Sequence, residues 1–273
     1  SMNYRMLVLD LDDTLLKDDR TVSELTRRRL LEAQQQGMIV VLASGRPTYA
    51  MQHLAKELCL AEYGGYFISF KGARITSCAD QHILLSVDIS HAQMCKLFDL
   101  AQEHGVYIQT YTEDHILVSK DNEYTQIEKE ITGMDVIECA DFKAEIPKTA
   151  VKAMMLEHPD RLKEVEKALR PVVENELYMT ITKPFFLEFM NPAVDKGKSL
   201  VTLAQHLNVP MEQVIAVGDS YNDISMIKAA GLGVAMGNAV EAVKQAADYE
   251  TADNEHDGVA HVVERFFLQK DKS

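Results

Sequence analysis

Three aspartates follow an apolar run near the start of the chain. Met6–Leu9 leads directly into Asp10. Leu11 then separates that residue from Asp12 and Asp13. The run predicts a strand buried on both faces of a parallel sheet, where ligands bind beyond the carboxyl ends of the strands. Acids this close repel one another unless a cation or a shared proton relieves the repulsion, so the motif favours a divalent metal site. A strand that ends in a solvated acidic loop also accounts for such a motif in isolation.

Two further apolar runs end in polar motifs. Met38–Ala43 is followed by Ser-Gly-Arg at residues 44–46, and Val214–Val217 by Gly-Asp-Ser-Tyr-Asn-Asp at residues 218–223. The carboxyl ends of parallel strands lie at one edge of a sheet, so residues far apart in sequence become neighbours there. Lys196, at the predicted start of an amphipathic helix, can join them.

The residue types in these motifs suit phosphate chemistry. They include no histidine base, no cysteine nucleophile and no Walker A loop. They offer carboxylates for a hard, oxygen-seeking cation such as Mg²⁺. They also offer a hydroxyl, backbone N–H groups and an ammonium for phosphate oxygens. A carboxylate at the centre of such a group can itself attack phosphorus.

Taken singly, these residues have ordinary structural interpretations. Lys196 alone is typical of an exposed lysine at a helix start. Asn222 alone predicts a helix N-cap, and Asp223 a first-turn acid favoured by the helix dipole. Arg46 is predicted to form a structural ion pair. Lys71 is predicted to be a solvated loop lysine, with an extra contact to an anion as the alternative. Only the combination of motifs favours a catalytic site.

The order of apolar runs and helical stripes predicts two modules. Up to residue 84 the pattern is βαβαβ, which implies a parallel, right-handed, doubly wound sheet. From Leu85 to Pro184 it changes to hairpins and helices, and Phe185–Met190 returns to the first style. We therefore predict the α/β class, with a doubly wound parallel-sheet (Rossmann-like) core of residues 1–84 and 185–273. The inserted α+β module is then residues 85–184.

Composition limits the classes of partner. The chain has 273 residues, a net charge of −14 and four cysteines. Nucleic acids and acidic membranes need a basic surface, so we expect neither as a partner, whereas an anionic small molecule remains compatible. The cysteines lie far apart, which favours thiols in a reducing cytoplasm. We find no apolar stretch of membrane-spanning length and no signal peptide. The oligomeric state stays open.

The motifs carry a resemblance to a known family. D-x-D-x-T at Asp10–Thr14, S-G-R at Ser44–Arg46, D-K-G at Asp195–Gly197 and G-D-S-x-N-D at Gly218–Asp223 resemble the four motifs of the haloacid dehalogenase (HAD) superfamily. The insertion resembles the C2-type cap of its Cof-like phosphatases. The resemblance implies that Asp10 is a nucleophile that forms a phospho-aspartate.

The resemblance also implies roles for further residues. Asp12 would be the general acid that protonates the leaving oxygen and then the base that activates water. Mg²⁺ would be held by Asp10, Asp12 through its backbone carbonyl, Asp219 and Asp223, the last by orienting metal-bound water. The phosphate oxygens would contact five residues: Thr14, Ser44, Gly45, Lys196 and Asn222.

We accordingly expect a Mg²⁺-dependent phosphatase that hydrolyses a small phosphorylated metabolite, a sugar phosphate or a phosphorylated cofactor. Two alternatives remain open from the sequence. One is a phosphomutase of the same superfamily, and the other is a non-catalytic phospho-acceptor domain. Substrate specificity would lie in the inserted cap, with residues 113–115 and 178–182 as candidates.

The chain departs from the family pattern at two positions. Asp13 stands where the family often has glycine, which adds negative charge near the predicted metal. Lys71-Gly72-Ala73 stands where relatives commonly show Asn-Gly-Ala. Neither departure removes a residue that the chemistry requires.

Overall fold

The structure is a computed structural model that describes residues 3–268. The strands of this range, in chain order, are β1 (Met6–Leu9), β2 (Ile39–Ala43), β3 (Tyr66–Ser69), β4 (Arg74–Ser77), β5 (Ile83–Ser86), β6 (Ile89–Ser90), β7 (Tyr107–Tyr111), β8 (His115–Val118), β9 (Asp135–Glu138), β10 (Thr149–Ala150), β11 (Ala153–Leu156), β12 (Tyr178–Lys183), β13 (Phe186–Met190), β14 (Val214–Gly218), β15 (Leu232–Ala235) and β16 (Tyr249–Glu250). The α-helices are α1 (Glu24–Gln35), α2 (Gln52–Glu57), α3 (His91–His104), α4 (Glu123–Thr132), α5 (Phe142–Glu145), α6 (Pro159–Val173), α7 (Lys196–His206), α8 (Ile224–Ala229), α9 (Glu241–Ala246) and α10 (Gly258–Phe266).

Contacts within the chain define two compact units. The core unit contains the described residues up to Leu85 and from Asp195 onwards. The inserted unit is Ser86–Val194. Among the described helices, none is long and apolar enough to cross a membrane.

The core unit is built on an eight-stranded sheet with the order β16-β15-β14-β1-β2-β3-β4-β5. The strands from β16 to β3 pair in parallel, and β4 pairs antiparallel with β3. This arrangement confirms the predicted doubly wound parallel core. It also brings the ends of β1, β2 and β14, which carry the polar motifs, side by side at one edge.

The strand β1 shows why its sequence is wholly apolar. Met6 and Val8 pack in one hydrophobic cluster with α7, whereas Leu7 and Leu9 pack in another with α1 and α10. Side chains alternate between the two faces of a strand, so helices on both faces require apolar residues at every position.

The inserted unit contains a six-stranded sheet with the order β12-β13-β11-β7-β8-β9, antiparallel except between β8 and β9. Residues of α3 and α6 pack on one face of this sheet. On the other face, the hydroxyl of Thr125 of α4 donates a hydrogen bond to Oε1 of Gln109 of β7. The hydroxyl of Tyr111 of β7 donates to the carboxylate of Glu128 of α4. Helices therefore cover both faces.

The second boundary of the insertion was predicted wrongly. The segment 185–194 was assigned to the core, but β13 pairs antiparallel with β11 and β12 in the inserted unit, and the core resumes at Asp195. All five residues of Phe186–Met190 are buried. Apart from Glu188 the strand is apolar. A strand covered on both faces has the same largely apolar pattern whether its neighbours are parallel or antiparallel, which explains the error.

Candidate active site

The chain leaves β1 through a wide turn. Leu16 donates its N–H to the carbonyl oxygen of Leu11 at 3.0 Å, which closes a π-type turn. Inside it Asp12 is extended (φ −59°, ψ 130°) and Asp13 is left-handed (φ 62°). The carboxylate of Asp10 accepts the N–H of Leu11 at 2.8 Å. The turn therefore fixes Asp10 at the strand end and separates its side chain from that of Asp12, in a geometry that is frequent at functional sites.

Lys196 connects the motifs of three strands. It is the first residue of α7, whose N-cap is Asp195, and only 1% of its side chain is exposed. Its Nζ donates to Oδ1 of Asp223 at 2.7 Å and to the carbonyl oxygen of Ala43 at 3.1 Å. Oδ1 of Asp10 lies 3.4 Å from the same nitrogen. The structure therefore excludes the interpretation of Lys196 as an exposed lysine.

Asp223 closes the loop after β14. Its Oδ2 accepts the N–H of Asp219 at 3.0 Å and the N–H of Ser220 at 3.2 Å, and the side chain is fully buried. The loop approaches the strand so closely that a Cβ at Gly218 would lie 2.5 Å from Cβ of Asp223. Glycine at position 218 is therefore required by the turn that holds Asp223.

Thr14 contacts Asp219 rather than standing free to bind a ligand. Its hydroxyl donates to Oδ1 of Asp219 at 2.8 Å, and 2% of the residue is exposed. A hydroxyl has one proton to donate, and here it is used within the protein. The contact joins the first motif to the fourth.

Asp10, Asp219 and Asp223 form the group that could hold a metal ion. One carboxylate oxygen of each lies within 4.8 Å of the others. Oxygen ligands at this spacing fit a hard divalent cation such as Mg²⁺. The side chain of Asp12 does not belong to this group, so its predicted contribution is restricted to the backbone carbonyl.

Electrostatics in this group favour a cation. Burial raises the pKa of Asp10 well above its usual range, and Lys196 only partly opposes this. Burial also raises the pKa of Asp219 to about 6. For Asp223 burial acts in the same direction and is the largest single effect, but the charge of Lys196 and the hydrogen bonds that the carboxylate receives together outweigh it and lower the pKa. Burial lowers the pKa of Lys196, and the two carboxylates beside it more than compensate, so it remains charged. Three carboxylates facing one ammonium leave an excess of negative charge.

The second motif lies beside the first. Ser44 is buried, and its Oγ accepts the N–H of Arg46 at 3.0 Å. The guanidinium of Arg46 donates to both oxygens of Asp12, from Nη2 at 2.7 Å and from Nε at 3.3 Å. The ion pair predicted for Arg46 is present, and its partner is the predicted acid and base.

Lys71 lies beside the second motif. Its N–H donates to the carbonyl oxygen of Ser44 at 3.0 Å. Its side-chain carbons lie 3.4–3.7 Å from where a Cβ on Gly45 would be. The residue is half-buried, with a left-handed backbone (φ 60°). The structure therefore places Lys71 in a turn beside Gly45, with its side chain half-buried.

Asn222 is exposed and does not act as a helix N-cap. Its Oδ1 accepts a hydrogen bond from the hydroxyl of Ser220 at 3.0 Å. Ser220 caps the short 3₁₀ turn of residues 221–223 instead. The side-chain amide of Asn222 is thereby held beside the loop that carries Asp219.

Two asparagines were missed as supports of the site. Nδ2 of Asn238 donates to the carbonyl oxygen of Asp13 at 2.8 Å. Nδ2 of Asn254 donates to the carbonyl oxygen of Leu16 at 3.0 Å and to Oδ1 of Asp18 at 3.0 Å. Asn238 follows the end of β15, so its position after a strand was a usable signal; Asn254 lies in an irregular loop and offered none.

The profile of the haloacid dehalogenase-like hydrolase family matches residues 7–263. The chain belongs to this family. Its α/β fold with a parallel-sheet core and its four motifs are those of a HAD hydrolase, which confirms the resemblance found in the sequence.

Among relatives, 5-amino-6-(5-phospho-D-ribitylamino)uracil phosphatase YcsE of Bacillus subtilis (strain 168) is 32% identical over 276 residues, covering 98% of this chain and 97% of YcsE. The crystal structure of a haloacid dehalogenase-like hydrolase from Bacteroides thetaiotaomicron is 37% identical with a TM-score of 0.92, covering 97% of this chain and 100% of the other. The HAD subclass IIB sugar phosphatase BT4131 is 25% identical with a TM-score of 0.76, covering 96% and 98% of the two chains.

Proposed function

We propose that this HAD hydrolase is a Mg²⁺-dependent phosphatase that forms a phospho-aspartate on Asp10. The observation that carries the proposal is the position of Asp10 at the end of β1, with the ammonium of Lys196 at 3.4 Å and the carboxylates of Asp219 and Asp223 beside it. A phosphate monoester is an anion that an anionic nucleophile must approach. The ammonium of Lys196 and a cation held by the three carboxylates would supply the positive charge for that approach.

The donor set of the site fits a magnesium ion. Asp10 and Asp219 would hold it directly, together with the backbone carbonyl of Asp12. Oδ2 of Asp223 already accepts two backbone N–H groups, so Asp223 would contribute mainly charge and the orientation of bound water. When bound, Mg²⁺ neutralises the repulsion between the nucleophile and the phosphate.

The residues of the chain would then perform a two-step transfer. An oxygen of Asp10 bonds to phosphorus while the bond to the leaving oxygen breaks, and Asp12 gives that oxygen a proton. In the second step Asp12 takes a proton from water as the water oxygen attacks phosphorus and the bond to Asp10 breaks. The hydroxyl of Ser44, the N–H of Gly45 and the ammonium of Lys196 would stabilise the equatorial phosphoryl oxygens.

The contacts change the proposed role of one predicted phosphate ligand, Thr14, and leave that of Asn222 as predicted. Thr14 would orient Asp219 rather than bind phosphate, because its hydroxyl proton is directed to that carboxylate. Asn222 is exposed next to the loop of Asp219 and stays a proposed hydrogen-bond donor to the substrate.

The substrate we propose is a small phosphorylated metabolite. The relatives named as phosphatases of a phosphoribitylaminouracil and of sugars support this class, in which the phosphate is carried by a polyol or sugar. The core unit would supply the chemistry and the inserted unit the recognition of the leaving group. A cytoplasmic location stays part of the proposal.

The test is a screen of sugar phosphates and phosphorylated cofactors, with Mg²⁺ and with a chelator, on the wild type and on Asp10→Asn. We expect Mg²⁺-dependent release of phosphate that Asp10→Asn lowers by about 1,000-fold or more. Asp13→Asn, which changes an exposed neighbouring aspartate, is the control. Hydrolysis that survives in Asp10→Asn would contradict the nucleophile assignment.

The same screen separates the two alternatives. Transfer of phosphate between positions of a sugar bisphosphate, with little free phosphate, would favour a mutase. A phospho-aspartate that persists for many minutes would favour a phospho-acceptor domain.

A further inference from the structure

We infer that Arg46 is a positioning residue for catalysis, which holds the carboxylate of Asp12 in the orientation from which it transfers protons. The inference rests on the proposed phosphatase function, in which Asp12 is the acid and the base. Arg46 would affect the reaction by orienting Asp12, and it would not contact the phosphate.

Arg46 holds Asp12 with two nitrogen atoms. Nη2 lies 2.7 Å from Oδ1 and Nε lies 3.3 Å from Oδ2. A two-point contact of this kind fixes the plane of the carboxylate, whereas a single hydrogen bond leaves it free to rotate. We call this two-point contact the fork. The side chain of Arg46 is 18% exposed, so its surroundings restrict the movement of the fork.

Arg46 is itself attached to the second motif. Its N–H donates to Oγ of Ser44 at 3.0 Å, and its carbonyl oxygen accepts the N–H of Phe70 at 2.9 Å. Pro47 follows it and restricts its backbone further. Arg46 thus connects the proposed phosphate ligand Ser44 to the proposed acid and base, and limits their relative movement.

Asp12 needs such support. Its side chain is 56% exposed and its backbone is extended within the π-type turn. A half-exposed aspartate samples several rotamers, whereas proton transfer requires placement to within about 0.5 Å. The fork occupies one lone pair on each carboxylate oxygen and leaves another on each. An oxygen of Asp12 can therefore face the leaving oxygen while both contacts with Arg46 are kept.

The inference predicts a dependence on the leaving group. A leaving oxygen that becomes an alkoxide needs a proton as the bond to phosphorus breaks, whereas 4-nitrophenolate is stable without one. The ratio kcat/KM covers the steps up to formation of the phospho-aspartate, so the later attack of water does not enter it. Disturbing Asp12 should therefore lower kcat/KM for alkyl phosphates and spare aryl phosphates.

The experiment compares Arg46→Met and Arg46→Lys on glycerol 2-phosphate and 4-nitrophenyl phosphate. For Arg46→Met we expect a loss of about 100-fold in kcat/KM on the alkyl ester and of about 3-fold or less on the aryl ester. Arg46→Lys keeps the charge without the fork and should fall between. The inhibition constant of inorganic phosphate should change by less than about 2-fold, since the inference gives Arg46 no contact with phosphate.

A double-mutant cycle tests whether Arg46 acts through Asp12. In an Asp12→Asn background, Arg46→Met should cause no further loss. Arg27→Met is a matched control, because Arg27 makes the same two-point contact with Glu24 on α1, from Nη2 at 2.6 Å and from Nε at 3.2 Å. Its kinetics should equal those of the wild type.

Three results would overturn the inference while leaving the phosphatase intact. The first is an equal loss of kcat/KM on both esters. The second is a loss in the double variant that equals the combined losses of the two single variants. The third is a tenfold weaker inhibition of Arg46→Met by inorganic phosphate. A wild-type protein that hydrolyses no phosphate ester would instead overturn the proposed function, and the inference with it.

Discussion

The ammonium of Lys196 lies 2.7 Å from Oδ1 of Asp223, and neither side chain is more than 1% exposed. Charges this deeply buried are tolerated only when paired, because each loses its hydration. The pair joins the start of α7 to the loop after β14, so one contact serves the stability of the core unit and the charge of the proposed site.

Removing the lysine should therefore damage both properties. Lys196→Met leaves Asp10 and Asp223 buried without their cation, and we expect the free energy of unfolding to fall by about 3–5 kcal/mol in the absence of Mg²⁺. Phosphatase activity should fall by about 100-fold or more. Urea denaturation and steady-state kinetics measure the two effects. Lys198→Met, on an exposed residue of the same helix, is the control, and equal stability of both variants would refute the argument.

Thr14 should control the affinity for magnesium. Thr14→Val keeps the shape of the side chain but removes the hydroxyl that orients Asp219. Loss of such a contact to a metal ligand costs about 10–100-fold in affinity, so the Mg²⁺ concentration for half-maximal activity should rise by that factor. Thr14→Ser retains the hydroxyl and should behave as the wild type. A change in the KM for substrate at saturating Mg²⁺ would instead indicate a phosphate ligand.

The stabilisation by Mg²⁺ should increase with pH. The pKa of Asp219 is raised to about 6 and that of Asp10 well above its usual range. The metal-free folded state therefore binds more protons than the unfolded state. The extra protons stabilise the metal-free folded state. Their contribution to the free energy of unfolding is fully present below the ordinary pKa of aspartate and is lost as pH rises through about 6. Mg²⁺ replaces those protons, so the increase in the Tm of the protein on adding Mg²⁺ should be larger near pH 8 than near pH 5. Equal increases at both values would contradict the assignment.

A buried ion pair should govern the local stability of the inserted unit. Nζ of Lys152 lies 3.3 Å from Oε2 of Glu188, and both side chains are almost fully buried. Lys152→Met should destabilise β11 and β13 by about 3–5 kcal/mol, seen as faster hydrogen exchange of their amides. The exposed pair of Lys96 and Glu176, at 3.4 Å, provides a matched control. In Lys96→Met the free energy of opening measured by hydrogen exchange should change by less than about 1 kcal/mol. Similar effects of both variants would show that burial is not decisive.

Sequence patterns predicted the core better than its supports. Wholly apolar strands followed by polar motifs are local signals, and they located β1, β2 and β14 with the polar residues that follow each strand. The contact between Arg46 and Asp12 joins side chains 34 positions apart, and nothing local reports its direction. The antiparallel pairing of β13 was missed because its burial, and not its direction, determines its composition.

The pairing of β1 with β14 has a consequence for synthesis of the chain. Leu9 lies opposite Val217, so the first strand lacks one neighbour until more than two hundred further residues have been made. The inserted sheet is complete at Met190 and depends on contacts of shorter range, so it can fold first. Until then the segment that contains β1 exposes apolar side chains to solvent. Chaperone binding is therefore expected to concentrate on that segment until β14 leaves the ribosome.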